Sequence, residues 1–251
     1  MIAGPELEKG PCTVGLNNSE FIKLKKAVTL TGCGWFDPFS IALSFSEGRY
    51  LINWREGKKY CFAPVRINDL DYARLAENAG SCRRILQDIN IPTASAVLLG
   101  LPGGDDYFRD KILSSFPPLV EALLTGLEQE FVASCRKIIG MGRGSTPTGD
   151  DLVHGALVAY HCFNYDLLFL DKIFAGFNKA AAKTNPMGRH MLETGRMGLT
   201  PEVFQKFILA LACSRAEPAS LQRMQNIGSS TGYDLMIGLL YFVSQMIRNT
   251  S

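Results

Sequence analysis

The sequence lacks the features that mark membrane-bound, secreted and nucleic-acid-binding proteins. Its 251 residues carry a formal net charge of only +2, too little for a protein that binds nucleic acid or an acidic membrane surface. The longest late apolar run, 235–243, has about half the length that crosses a bilayer. The first ten residues contain no apolar run of the kind that a signal peptide needs. We therefore expect a cytoplasmic protein that binds neither nucleic acid nor a membrane.

Paired cysteines are also missing. The chain has seven cysteines, an odd number, and no two of them are spaced as C-x-x-C. Scattered cysteines of this kind indicate neither a disulfide framework nor a zinc site. We expect them to be reduced and mostly buried.

The predicted elements change in kind along the chain. Up to about residue 68, short runs of β-branched and aromatic residues alternate with turn residues, which predicts an antiparallel β-sheet or a small barrel. From residue 69 onward, apolar residues recur at helical spacing, with a helix break expected at Pro117-Pro118. The predicted fold class is therefore α+β, with a β-rich N-terminal part (1–68) and a mainly α-helical part (69–251).

Two segments of the helical part repeat one another. Residues 148–157 (TGDDLVHGAL) align without gaps on residues 231–240 (TGYDLMIGLL). Each copy follows a loop rich in glycine and hydroxyl residues, which we call the first loop (140–147) and the second loop (228–230). Because Gly155 and Gly238 lack side chains, we expect the two helices to approach closely there, with their N-termini together.

Glycine-rich loops at helix starts favour the binding of anions. The first amides of a helix have no partner within it and carry a partial positive charge, and hydroxyl groups add further donors. Two such loops facing one another would bind a small dianion or two anionic groups. The predicted ligand-binding residues at the first loop are Gly142, Gly144, Ser145, Thr146, Thr148 and Gly149. Those at the second loop are Gly228, Ser229, Ser230, Thr231, Gly232 and Asp234.

The acidic residues after the loops have two further interpretations. Thr148 and Asp151 have the spacing of a capping box, as do Thr231 and Asp234, and in that motif the carboxylate folds back onto the start of its own helix. Alternatively, Asp150, Asp151 and Asp234 form a metal site, in which Mg²⁺ would separate the carboxylates from a bound phosphate. No cofactor is established by these patterns, and Mg²⁺ stays open.

These motifs resemble those of a known family. Residues 142–151 (GRGSTPTGDD) resemble the G-x-G-x-T-P-S-x-D-D signature of a bacterial domain-of-unknown-function family that includes the AllH-type subunit of oxamate carbamoyltransferase. Residues 228–234 (GSSTGYD) resemble its second signature, G-H-x-S-G-x-D, and Thr184-Asn185 resembles its T-T segment. The sequence departs from the family at Ser229, where His is usual, and at Gly188, which replaces a hydroxyl-bearing residue.

The resemblance implies an enzyme subunit that works with partner subunits in purine (allantoin) catabolism. The reaction would transfer a carbamoyl group between carbamoyl phosphate and the amide nitrogen of oxamate, and both substrates are small anions. Arg143 is the candidate to clamp a phosphate or carboxylate, since a guanidinium can bind either with two hydrogen bonds. Asp150, Asp151 and His154 complete the candidate catalytic residues, and Thr184 is a further candidate for ligand binding.

Two other functions stay open at this point. The chain could be a non-catalytic subunit that binds an anionic metabolite and supports a catalytic partner. It could also be a Mg²⁺-dependent enzyme that handles phosphoryl groups with its cluster of aspartates.

Overall fold

The computed structural model describes residues 2–3, 14–15, 33–37, 40–45, 48–53, 64–103, 106–163, 166–214 and 218–250. The chain divides into two compact units, Met1–Phe62 and Ala63–Ser251. The predicted boundary near residue 68 falls inside the second unit.

The first unit contains short strands. They are β1 (Ile2–Ala3), β2 (Val14–Gly15), β3 (Cys33–Asp37), β4 (Ser40–Phe45) and β5 (Gly48–Asn53). β1 and β2 pair in parallel, whereas β3, β4 and β5 form an antiparallel meander in that order, with Ala42 paired to Trp35 on one side and to Leu51 on the other. The other strands predicted before residue 64 lie outside the described residues.

The described part of the second unit is helical. Its α-helices are α1 (Tyr72–Gln87), α2 (Arg109–Thr125), α3 (Glu128–Ile138), α4 (Thr148–Cys162), α5 (Leu167–Lys172), α6 (Phe174–Ala181), α7 (Pro186–Arg196), α8 (Glu202–Cys213), α9 (Pro218–Gln225) and α10 (Thr231–Thr250). Two 3₁₀ helices, Ala94–Leu99 and Asp106–Phe108, lie between α1 and α2.

The predicted α+β class is wrong, and the described structure is predominantly α-helical. No strand occurs among the described residues from 64 to 250, and the buried core of that part comes from helices and their connections. The strands of the first unit form a pair and a meander, and the described strands close no barrel. The strand preference of short β-branched and aromatic runs depends strongly on what they pack against, so these runs alone led us to give the sheet too much weight in the predicted fold class.

The predicted helix break at the two prolines is also misplaced. α2 runs through Pro117 and Pro118 and ends only at Gly126, which has a positive φ of 74° and donates its amide to Ala122. A proline inside a helix leaves one carbonyl without its usual donor. Here Pro118 is exposed and Pro117 half-buried, so that water can reach the carbonyls on this side of the helix.

α4 and α10 pack together at the centre of the helical unit. All residues of α4 from Gly149 to Cys162 are buried, which marks a central helix. A Cβ atom added to Gly155 would lie 2.4 Å from the carbonyl oxygen of Leu235 on α10. One added to Gly238 would lie 2.4 Å from the carbonyl oxygen of Leu152 on α4. The predicted close approach at the two glycines is confirmed, and it is reciprocal.

Candidate functional site

A glycine in the first turn of α4 and of α10 packs against the end of the preceding helix. A Cβ atom at Gly149 would lie 2.0 Å from the carbonyl oxygen of Ile138, the last residue of α3. A Cβ atom at Gly232 would lie 1.7 Å from the carbonyl oxygen of Met224 in α9. Because no side chain fits at either position, helix packing by itself accounts for both glycines.

Several amides at these helix starts are already bonded within the protein. The amides of Gly149, Asp150 and Gly232 donate to backbone carbonyl oxygens at 2.8 to 2.9 Å. These groups had been predicted to face a bound anion. These three amides are therefore not available to a bound anion.

The two loops share a left-handed glycine but differ in length. Gly142 and Gly228 have φ values of 125° and 61°, a region that favours glycine. Thr148 comes six positions after Gly142, whereas Thr231 comes three positions after Gly228, so the stretch from this glycine to the helix start is three residues longer in the first loop. The exposed residues of the two loops are Gly140, Arg143, Gly144, Ser145, Gly228 and Ser229. Of the two loops, both of which the structure describes, only the first therefore supplies a guanidinium, that of the exposed Arg143.

A hydrogen bond joins the two loop regions. The hydroxyl oxygens of Thr146, in the first loop, and Thr231, the first residue of α10, lie 2.7 Å apart. Both residues are half-buried. The two helix starts, which are 85 positions apart at this contact, therefore meet at one place.

The predicted capping boxes do not form. Pro147, not Thr148, caps α4, and neither carboxylate oxygen of Asp151 has a hydrogen-bond partner. Asp234 accepts hydrogen bonds on Oδ1 from the hydroxyls of Thr93 (2.6 Å) and Ser95 (2.5 Å), at the 3₁₀ helix Ala94–Leu99. Its Oδ2 has no partner. Neither carboxylate therefore folds back onto its own helix.

Asp151 and Asp234 form a buried pair of carboxyl groups at the junction of α4 and α10. Both residues have no exposed surface. Burial, and then the negative charge of Asp234, raise the pKa of Asp151 well above its usual range. Burial also raises the pKa of Asp234 to about 6.

Hydroxyl groups at the start of each helix influence the pKa of the aspartate on the other helix. Thr146 and Thr231 lower the pKa of Asp151, although neither makes a hydrogen bond of normal geometry to it. Thr148 of α4, in turn, lowers the pKa of Asp234 on α10. The threonine of each helix start thus faces the aspartate of the other helix.

Comparison with known proteins identifies the part of the chain that contains this junction. Residues 138–243 match the family described as oxamate carbamoyltransferase subunit AllH. The AllH-type resemblance predicted from the two loops is therefore confirmed for this segment. No curated protein and no solved structure matches the chain. Among the described residues, no helix is long and apolar enough to cross a membrane.

Within the AllH segment, Asp150 points away from the carboxyl pair. Its Oδ1 accepts a hydrogen bond from the amide of Gly140 at 2.7 Å, and its Oδ2 accepts one from the hydroxyl of Thr184. A Cβ atom at Gly188 would lie 2.1 Å from Oδ2 of Asp150. The space where a side chain at position 188 would lie is therefore already filled by Asp150 and Thr184, and this is a position where the sequence departs from the family. Through Asp150, the first loop at Gly140 is connected to Thr184, just before α7.

His154 of the AllH segment lies in the core. It has no exposed surface, and burial lowers its pKa to about 4. Its Nδ1 lies 2.6 Å from the carbonyl oxygen of Met191 and its Nε2 3.0 Å from the hydroxyl of Thr200. Because a carbonyl can only accept, we assign the proton to Nδ1. In this position the imidazole holds α7 against α4.

Sequence analysis missed the two hydroxyl residues that bind Asp234. Thr93 caps the 3₁₀ helix and Ser95 is its second residue, and both are buried. They lie about 140 positions before Asp234 in the chain, and no local motif connects them to it.

Among the described residues, no group of three or more His, Cys, Asp or Glu side chains could hold a metal ion.

Proposed function

We propose that this chain is a cytoplasmic, partner-dependent subunit of a carbamoyltransferase in purine (allantoin) catabolism. It would act on oxamate or a similar small anion together with carbamoyl phosphate. The observation that carries this proposal is the AllH match over residues 138–243, which includes both loops and both helix starts. The matching family is described as an enzyme subunit, and this supports the need for partner subunits.

The exposed first loop supports the binding of a small anion. Arg143, Gly144 and Ser145 are exposed on this loop, and Ser229 is exposed on the second. A guanidinium binds a phosphate or carboxylate with two parallel hydrogen bonds. Carbamoyl phosphate is already activated, so the protein would contribute mainly by holding the reactants together and stabilising charge on the carbonyl and the leaving phosphate.

Ligand binding can be measured on the isolated chain by thermal melting. We would screen carbamoyl phosphate, oxamate, oxalurate and phosphate, each with and without Mg²⁺. A ligand at about a hundred times its Kd adds roughly 2.7 kcal/mol to the free energy of unfolding, which is an easily measured shift. Arg143→Ala should abolish the shift, whereas Arg136→Ala, an exposed arginine on α3, should leave it unchanged.

Turnover separates the transferase from a non-catalytic metabolite-binding subunit. We would measure the phosphorolysis of oxalurate to oxamate and carbamoyl phosphate by the partner subunits with and without this chain. A reaction that needs the chain and loses kcat in Arg143→Ala supports the transferase. Partner subunits that are equally active alone would contradict it and favour a metabolite-binding role.

A further inference from the structure

Three carboxylate oxygens at the junction of α4 and α10 have no hydrogen-bond partner. They are both oxygens of Asp151 and Oδ2 of Asp234, and both residues have no exposed surface. A buried carboxylate oxygen without a hydrogen bond of normal geometry loses its hydration without full compensation, so such atoms are rare in folded proteins. An arrangement of this kind points to a positively charged ligand.

The protein's own groups offset this charge only in part. The starts of two helices contribute partial positive charges. The hydroxyls of Thr146, Thr148, Ser230 and Thr231 lie around the pair and favour its ionised form. Among the described residues, however, the charged groups that act on Asp151 are other carboxylates, Asp234 and Asp150, and these disfavour its ionisation.

We propose that Asp151 and Asp234 hold a hard divalent cation of the Mg²⁺ class between α4 and α10, with the hydroxyls of Thr146 and Thr231 beside it. The carboxylates come from equivalent positions of the two repeated segments, so each repeat supplies one ligand. Asp150 lies outside the site because both of its oxygens bond to other groups.

The chemistry of the donors selects the class of metal. Carboxylate and hydroxyl oxygens are hard ligands that suit Mg²⁺, Ca²⁺ and Mn²⁺, whereas zinc and copper sites use nitrogen or sulfur. Mg²⁺ is commonly held by one or two carboxylates and keeps several waters. Thr146, Thr148, Ser230 and Thr231 are half-buried, so a route for the ion leads between hydroxyls toward the exposed loops.

The cation site stands apart from the transferase proposal, although the two would work together. If the transferase proposal holds, the ion would lie beneath the loops to which a substrate anion binds and would reduce the repulsion between that anion and the carboxylates. Metal binding is measured without substrate, so a failure of either proposal is recognised independently of the other.

The test uses Mn²⁺ as a probe with the full chain. Binding removes the electron paramagnetic resonance signal of free Mn²⁺, and we expect about one ion per chain, displaced by Mg²⁺. Asp151→Asn and Asp234→Asn should each abolish binding. Asp166→Asn is the matched control, because this exposed aspartate caps α5 and asparagine caps equally well.

Melting curves show whether each variant is folded. In EDTA, Asp151→Asn should melt no lower than the wild type, since it removes one of two buried like charges. Thr231→Val keeps both carboxylates and should weaken Mn²⁺ binding about tenfold. Absence of Mn²⁺ binding by the wild type would overturn the proposal and indicate that the two carboxyl groups share a proton instead. Binding that persists in both aspartate variants would also overturn it, because the ion would then bind elsewhere on the chain.

Discussion

The hydroxyl oxygens of Thr146 and Thr231 lie 2.7 Å apart, and the hydrogen bond between them links the two loop regions. The same two hydroxyls favour the ionised form of Asp151. The threonines therefore connect the two repeated segments and also surround the carboxyl pair at their junction.

A double-mutant cycle should detect this link. We expect Thr146→Val and Thr231→Val each to lower the free energy of unfolding by about 1 kcal/mol, and the double variant to lose less than the sum. The measurement is urea denaturation of the four proteins. Thr125→Val provides the control, because Thr125 bonds only within α2 at an exposed position. Its effect should add to that of Thr231→Val, and an equally additive Thr146 pair would show that the bond does not form.

The close approach of α4 and α10 predicts large effects from single methyl groups. Gly155→Ala and Gly238→Ala would each place a Cβ atom 2.4 Å from a backbone carbonyl oxygen of the other helix. We expect each to lower the free energy of unfolding by about 1–3 kcal/mol, even after the helix preference of alanine is counted.

Gly80→Ala is the matched control for these variants. Gly80 lies in the middle of α1, and its added Cβ would have the flexible side chain of Arg84 as its near neighbour at 3.7 Å. It should raise the free energy of unfolding by about 0.5–1 kcal/mol, since alanine is the better helix former. A similar gain in the Gly155 and Gly238 variants would contradict the packing described for α4 and α10.

The pairing of α4 with α10 could be predicted because its determinants are local and repeated. Gly155 and Gly238 stand seven positions after Thr148 and Thr231 in matching segments, so a comparison of the segments exposes them. Other contacts are long-range and have no such pattern. The bonds from Thr93 and Ser95 to Asp234 depend on how the 3₁₀ helix packs beside α10, and the capping-box spacing pointed to a different, local partner.

The error in fold class has a related cause. Local runs of β-branched and aromatic residues indicate a preference for the strand conformation, whereas a sheet forms only where such segments also pack against suitable neighbours. The continuation of α2 through Pro117 and Pro118 is a second case in which tertiary packing overrides a local preference.

Gly188 should be sensitive to any side chain because of the buried carboxylate beside it. A Cβ atom would lie 2.1 Å from Asp150 Oδ2 and 2.5 Å from the hydroxyl of Thr184. Gly188→Ala should separate these two groups and lower the free energy of unfolding by about 1–3 kcal/mol in urea denaturation. If the variant were as stable as the wild type, the packing of Asp150 against Gly188 of α7 would contribute nothing to the free energy of unfolding.

Buried His154 predicts a dependence of stability on pH. Its pKa is lowered from 6.5 to about 4 in the folded chain. Between these values the unfolded chain binds a proton that the folded chain does not, so the free energy of unfolding falls as the pH falls. The contribution of neutral His154 to the free energy of unfolding is fully present above pH 6.5 and is lost as the pH falls toward 4, a change of about 3 kcal/mol.

The raised pKa values of Asp150, Asp151 and Asp234 act with the opposite sign, because a carboxyl group that takes up its proton more readily when folded stabilises the protein at lower pH. The effect of His154 is therefore isolated by comparison with His154→Asn, in which the same carboxyl groups titrate and asparagine can still donate to Met191. The stability difference between wild type and variant should shrink by about 3 kcal/mol between pH 7 and pH 4. Urea denaturation at both pH values measures it, and a difference that does not change with pH would mean that His154 is protonated in the folded core.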